Sequence, residues 1–140
     1  GLNRLGLSDQ ISLILPPEEF IPAPGQGALA IQTREDNPEL CEIVAKLDNS
    51  NARITAETER HILAGLHGGC SIPLGAYSHI EDGIIHIRSI LCNLTVTKRI
   101  KKAVSCPVGS ALETAEKLIQ QILDEGGREI LEEIRYQKEE

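Results

Sequence analysis

Methionine and tryptophan are absent from this chain, phenylalanine occurs once and tyrosine twice. Without an initiator methionine, the 140 residues are expected to be a piece of a longer protein, beginning mid-element at Gly1. So few aromatics provide no stacking platform for single-stranded nucleic acid. The formal net charge of −7 argues against non-specific nucleic-acid binding as well. No apolar run approaches the roughly 20 residues that span a bilayer, and no signal peptide opens the chain. Cysteine is sparse: Cys41, Cys70, Cys92 and Cys106 are widely spaced, with no CxxC pair. That pattern fits reduced thiols in a cytosol-like, cytoplasmic setting better than a disulfide framework. What is present is ordinary for a globular protein, 41% hydrophobic and 25% charged residues, enough for one domain with an appendage or two very small domains.

Residues 56–77, AETERHILAGLHGGCSIPLGAY, organise the rest. A helical pattern runs into a glycine pair, then Cys70, then Pro73 and the start of a strand. Gly68 and Gly69 allow the helix to end and leave open space beside the next side chain. Pro73 prevents the helix from restarting and biases Ile72 toward an extended conformation. Cys70 is therefore expected on a short, shaped loop with its sulfur accessible, a place for a covalent attachment.

In chain order, residues 1–7 read as a helix tail ending at Gly6 and carrying Arg4, and residues 11–15 as a short strand stopped by Pro16 and Pro17. Pro22, Pro24, Gly25 and Gly27 form a tight loop around Gln26. Residues 28–33 then read as a buried strand, followed by Arg34. This GxG feeds a strand and lacks GxxxxGK[ST], so it is not a phosphate loop. Asn37 caps a helix over residues 38–47 with Leu40, Ile43, Val44 and Leu47 at helical spacing. A polar break at residues 48–51 marks a domain boundary. A second helix over 52–66 has Ala52, Ala56, Leu63 and Leu66 among its inward candidates, with Glu57, Glu59 and Arg60 on a solvated, charge-paired face.

Three strands follow, over residues 75–80, 84–91 and 96–105, the first two joined by a hairpin turn at Glu81, Asp82 and Gly83. Ile85, Ile87, Ser89 and Leu91 share one face of the middle strand, and Val96, Ile100 and Val104 one face of the third. Ser110 and Glu113 read as a capping box for a helix carrying Leu112, Ala115, Ile119 and Ile122. Gly126 and Gly127 end it, and residues 128–135 add a last amphipathic turn or two. The predicted fold class is α+β: a small three-stranded antiparallel sheet covered by helices on one face, preceded by a strand and helix belonging elsewhere.

The segments GQGALAIQTRED (residues 25–36) and 56–77, continuing through Gly83 and Ile85 to GGREIL at 126–131, strongly resemble the hydroxymethylbilane synthase family, also called porphobilinogen deaminase. GGCSIPLGAY joined to an upstream PGQGALAI is highly specific to it. The resemblance implies a three-domain transferase of tetrapyrrole (porphyrin and heme) biosynthesis that condenses porphobilinogen units, with loss of ammonia, into hydroxymethylbilane. It implies that residues 1–47 are the end of the second domain and a return segment of the first, and that 48–140 are the third. The growing polypyrrole is built on a dipyrromethane cofactor joined by a thioether to a cysteine that Cys70 matches, beside Gly69. Gln26 matches a position lining the cleft, and Arg4 and Arg34 match arginines facing it, where pyrrole acetates and propionates need cations.

The family's catalytic aspartate and most of its cofactor-binding arginines would lie upstream of residue 1, so the fragment alone is expected to be inactive and its Cys70 free of cofactor. The resemblance further implies a full-length monomer, with no nucleic-acid or membrane partner. Residues 1–47 of the fragment are expected to self-associate or to sit loosely ordered. Following a helix C-terminus, Cys70 gains no help from the helix dipole. An azafulvene electrophile, formed when porphobilinogen loses ammonia, makes strong activation unnecessary.

Cys41, Cys92 and Cys106 read as packing residues. His61, His67, Cys70 and Cys92 match no common zinc spacing, and no metal site is expected. Lys98, Arg99, Lys101 and Lys102 read as a solvated strand and turn. The alternative function is a stand-alone small-molecule-binding or redox-sensing α+β module with a reactive loop thiol at Cys70.

Overall fold

In the computed structural model, which describes residues 1–66 and 72–137, burial divides the chain sharply. No residue among 1–47 is buried, whereas the part from Ser50 onward holds a continuous apolar core. Helix α1 (Pro38–Ala45) forms from local signals: the Asn37 side chain accepts from Leu40 N–H, and Pro38 occupies the first turn. Its Leu40 and Ile43 face solvent. Helix α2 (Ser50–Gly65) starts in the same way, with Asn49 accepting from Ala52 N–H.

Strands β1 (Leu74–Glu81), β2 (Ile84–Cys92) and β3 (Arg99–Pro107) form one antiparallel sheet in that order. The β1–β2 turn places Asp82 and Gly83 at φ 49° and 77°, the two positive values that a tight hairpin needs. Register sets Ser78 opposite Ile87 and Ile87 opposite Val104. Ala76, Ile85, Ile87 and Leu91 thus turn to one face, against Ile62 and Leu66 of α2 and the inner stripe of α3 (Ala111–Ile122). Helix α4 (Arg128–Tyr136) adds Ile130, Leu131 and Ile134 to the same core after a bend at Gly126, where φ is +103°. The expected α+β sheet with helices on one face is what forms.

Several expected elements do not. Residues 11–15 and 28–33 form no strand, and Leu29 is 96% exposed. An extended segment becomes a strand only when a neighbour takes up its N–H and C=O groups, and no described residue offers that neighbour. Val96 stands outside β3 at φ +57° because Asn93, 1% exposed, builds the preceding loop. The Asn93 amide donates to Thr95, Thr97 and Glu133, while its carbonyl oxygen accepts from Lys98 N–H. Ser110 makes no capping bond: its ψ of 12° continues a 3₁₀ turn instead of the extended conformation a capping residue needs, and Glu113 pairs with Lys117. Ala52 and Leu112 are exposed, and Ile62 is fully buried.

Two tests follow from this packing. A Cβ on Gly65 would lie 2.5 Å from Ile119 Cδ1, where α2 crosses α3. Gly65→Ala gains up to about 1 kcal/mol of helix propensity but overpacks a filled core at about 1–3 kcal/mol. We therefore expect a lower urea midpoint for Gly65→Ala, partly restored by adding Ile119→Val; an unchanged midpoint would contradict the close crossing. Separately, the Lys98 ammonium, then the Asn93 amide, hold the Glu133 carboxyl below its ordinary value of 4.5. The stabilisation this gives is present above the unfolded value and is lost as pH falls through the lower folded one. Glu133→Gln should flatten the loss of stability on acidification below about pH 4.5, measured by urea unfolding across pH.

Candidate functional site

Loop 22–27 and the middle of α2 meet at a single carboxylate. Gly25 and Gly27 take φ of +70° and +88°, so the chain folds back tightly on either side of Gln26. Gln26 Oε1 accepts from Ala23 N–H at 3.3 Å, which leaves its side-chain N–H₂ free to donate outward. Pro22 C=O accepts from Ala76 N–H at 3.0 Å, docking the loop on the free edge of β1. Gly75 permits this approach: a Cβ there would stand 2.8 Å from the Ile21 carbonyl oxygen.

Glu59, expected on a solvated face, is 7% exposed and closes the arrangement. Its Oε1 accepts from Ser78 N–H at 2.7 Å, with the Ser78 hydroxyl 3.0 Å away. Its Oε2 accepts from Gly25 N–H at 2.7 Å. One carboxylate thus joins helix, sheet edge and glycine loop. These are charge-assisted bonds in a dry setting, each stronger than a neutral one. A signal for this was present: Thr55, Thr58, Glu59, Ile62 and Leu66 fall on one helical stripe, so the glutamate points where the core lies. By contrast Glu57 and Arg60 are exposed as expected, with Glu57 4.0 Å from Arg53.

The other expected site residues are spread out. Arg4 lies exposed in a 3₁₀ turn (Asn3–Leu5) and makes no ion pair with any described residue. Arg34 is exposed and its guanidinium pairs with Asp36, which raises the arginine and lowers the aspartate from their ordinary values. Gly69 and Cys70, with His67, Gly68 and Ser71, lie outside the described residues. Their flanks are fixed: Leu66 is fully buried at the end of α2 and Leu74 is buried at the start of β1.

Among the remaining cysteines, Cys92 is buried and burial pushes its thiol up. Cys106 packs against the core, and Cys41 lies near Thr33 Oγ1 and the Arg34 carbonyl. His61, one of the residues weighed for zinc, contacts Glu116 at 3.0 Å.

Loss of the carboxylate should release the loop. Glu59→Ala is expected to cost about 1.5–3 kcal/mol, the range for buried hydrogen bonds to a charged group. Amide exchange should accelerate at Gly25 and Ser78 together, with Glu59→Gln intermediate. Acceleration at only one of the two amides would show that the carboxylate does not bridge them.

Comparison with known proteins agrees across both parts of the chain. A family model described as "Porphobilinogen deaminase, C-terminal domain" matches residues 53–125, and one described as "Porphobilinogen deaminase, dipyromethane cofactor binding domain" matches residues 1–42. Curated relatives named porphobilinogen deaminase include those of Desulforamulus reducens, 33% identical over 135 residues, and Chlorobium phaeovibrioides, 39% identical over 139. That of Nitratidesulfovibrio vulgaris, strain Miyazaki F, is 39% identical over 139 residues. Each match takes in 96% of this chain and 44% of the relative, so the chain spans less than half the length of these proteins.

Proposed function

The chain belongs to the porphobilinogen deaminase family, and from that premise we propose that it is the region holding the dipyrromethane cofactor in an enzyme that condenses porphobilinogen into hydroxymethylbilane. The observation that carries this reading is the pairing of two family matches, on 1–42 and 53–125, with GGCSIPLGAY in the second. In this reading Cys70 forms the thioether, beside Gly69. A boundary near residues 47 and 48 separates the segment belonging to the upstream domains from the attachment domain 48–140; the gap between the two family matches and the change in burial support it.

The donor set of this chain suits such a group. A dipyrromethane carries acetates and propionates, and Arg4 and Arg34 offer exposed guanidiniums to them. Arg34 would have to exchange Asp36 for a pyrrole carboxylate. Gln26 presents free amide protons from a loop that Glu59 holds in place. When bound, the cofactor supplies the pyrrole carbon on which each new unit is placed. The protein's own contribution here is to hold the anchor, orient carboxylates through Arg4, Arg34 and Gln26, and keep loop 22–27 fixed against β1. Such positioning is worth up to roughly 7–11 kcal/mol of a barrier when complete.

Porphobilinogen and polypyrrole intermediates are the proposed partners of the whole protein, proposed to be a monomer of the cytoplasm. No helix among the described residues is long and apolar enough to cross a membrane. The exposed Leu29, Ile31, Leu40 and Ile43 suit a surface that the rest of the polypeptide covers. In the isolated fragment the same surface would drive self-association through residues 1–47.

Two measurements test the reading. The purified 140-residue chain should turn over no porphobilinogen, and its intact mass should show Cys70 without a pyrrole adduct. The protein with its upstream domains should give the purple Ehrlich reaction of a bound dipyrromethane, and Cys70→Ser should abolish it. Reversible oxidation of Cys70 in that longer protein, with no pyrrole adduct, would favour the redox-module reading instead.

A further inference from the structure

The sheet face turned away from the helices carries a cluster for which the proposed function has no use. His79 and Glu81 lie two residues apart on β1, so both side chains leave the same face. Register sets His86 of β2 directly opposite His79. One ligand atom from each of the three lies within 4.8 Å of the others. The two imidazoles stack, with centroids 4.8 Å apart and planes 16° from parallel. In the sequence Glu81 reads as part of the hairpin turn, and two histidines seven residues apart are visible but their pairing is not.

Two further observations bear on a ligand. His86 Nδ1 lies 2.8 Å from Ser105 Oγ, on the neighbouring strand β3. With that nitrogen donating to the hydroxyl, the Nε2 lone pair is free and the ring is held in orientation, the arrangement that metal-ligating histidines commonly show. His79 Nδ1 is buried and hydrogen-bonds to no described residue, so nothing there engages it elsewhere. Arg88, on the same face of β2 as His86, has its guanidinium 3.8 Å from Glu18.

We propose that His79, Glu81 and His86 form a site for one divalent transition metal of the zinc class, with water as the fourth ligand. Two imidazoles and one carboxylate suit zinc, nickel or copper and not magnesium or calcium. Bond lengths near 2.1 Å in a tetrahedron place ligand atoms about 3.4 Å apart, so the cluster must contract by at most about 1.4 Å. His79 and His86 are only half-buried and Glu81 is exposed, so rotamer adjustment on a fixed hairpin can supply this.

Calorimetric titration of the 140-residue chain with Zn²⁺ tests the proposal. We expect one equivalent bound, with affinity falling roughly 100-fold in His79→Ala and in His86→Ala, and about 10-fold in Ser105→Ala. Co²⁺ should give the visible bands of a four-coordinate nitrogen and oxygen site without the near-ultraviolet band of thiolate ligation. Ring-nitrogen NMR of the unsubstituted chain should show His86 Nε2 shifting on Zn²⁺ addition, a readout that does not depend on the variants folding. Absence of saturable binding would overturn the proposal. So would binding that survives both histidine substitutions, a thiolate band with Co²⁺, or an unshifted His86 Nε2.

Discussion

A carboxylate that accepts hydrogen bonds from three separate groups cannot be exchanged for a neutral side chain without stranding donors. Glu59 is in that position. The outer edge of β1 has unpaired N–H groups because no fourth strand exists among the described residues. Ala76 finds Pro22 and Ser78 finds Glu59, so the edge is closed by a loop and a helix side chain instead of by another strand. The same carboxylate holds Gly25. The glycine loop, which the family match assigns to a different domain model from the sheet, is thereby bonded to the sheet's own edge.

What was legible in the sequence was what short-range chemistry decides. Asn37 followed by Pro38 specified the start of α1, and Asp82-Gly83 the hairpin. The alternation of Ile85, Ile87, Ser89 and Leu91 gave the inner face of β2 correctly, including the serine, whose hydroxyl donates to the Gly75 carbonyl. Illegible features were those depending on a partner remote in sequence. Residues 28–33 have the composition of a strand, but composition supplies no neighbour. Glu59 falls on the buried stripe of α2, but its partners Ser78 and Gly25, 19 and 34 positions away, are not visible from the sequence. Val96 has the right residue type for β3 and the wrong place, because Asn93 claims the preceding backbone for a loop. Cys70 stands out only as part of a motif, and it lies outside the described residues.

The two parts of the chain also differ in what stabilises them. From Ser50 onward, burial of the isoleucine and leucine side chains of α2, α3, α4 and the sheet supplies the driving force. Residues 1–47 are shaped by caps, turns and a few hydrogen bonds, with their apolar side chains outward. Segments organised in this way open at low free-energy cost. Pro22, Gly25 and Glu18, whose carbonyl accepts from the Lys101 ammonium and whose carboxylate lies 3.8 Å from Arg88, are among the points where the first part is tied to the second.

The far edge of the sheet has a different character. β3 carries Arg99, Lys101 and Lys102 and closes on Pro107, which has no N–H to offer. A second copy approaching that edge two-fold would bring its own basic side chains against these, with a gap in the hydrogen-bond ladder at the proline. One edge of the sheet is thus closed by a carboxylate and a loop, and the other disfavours an added strand through Arg99 and the proline, even while hydrophobic side chains elsewhere in the chain stand open to water.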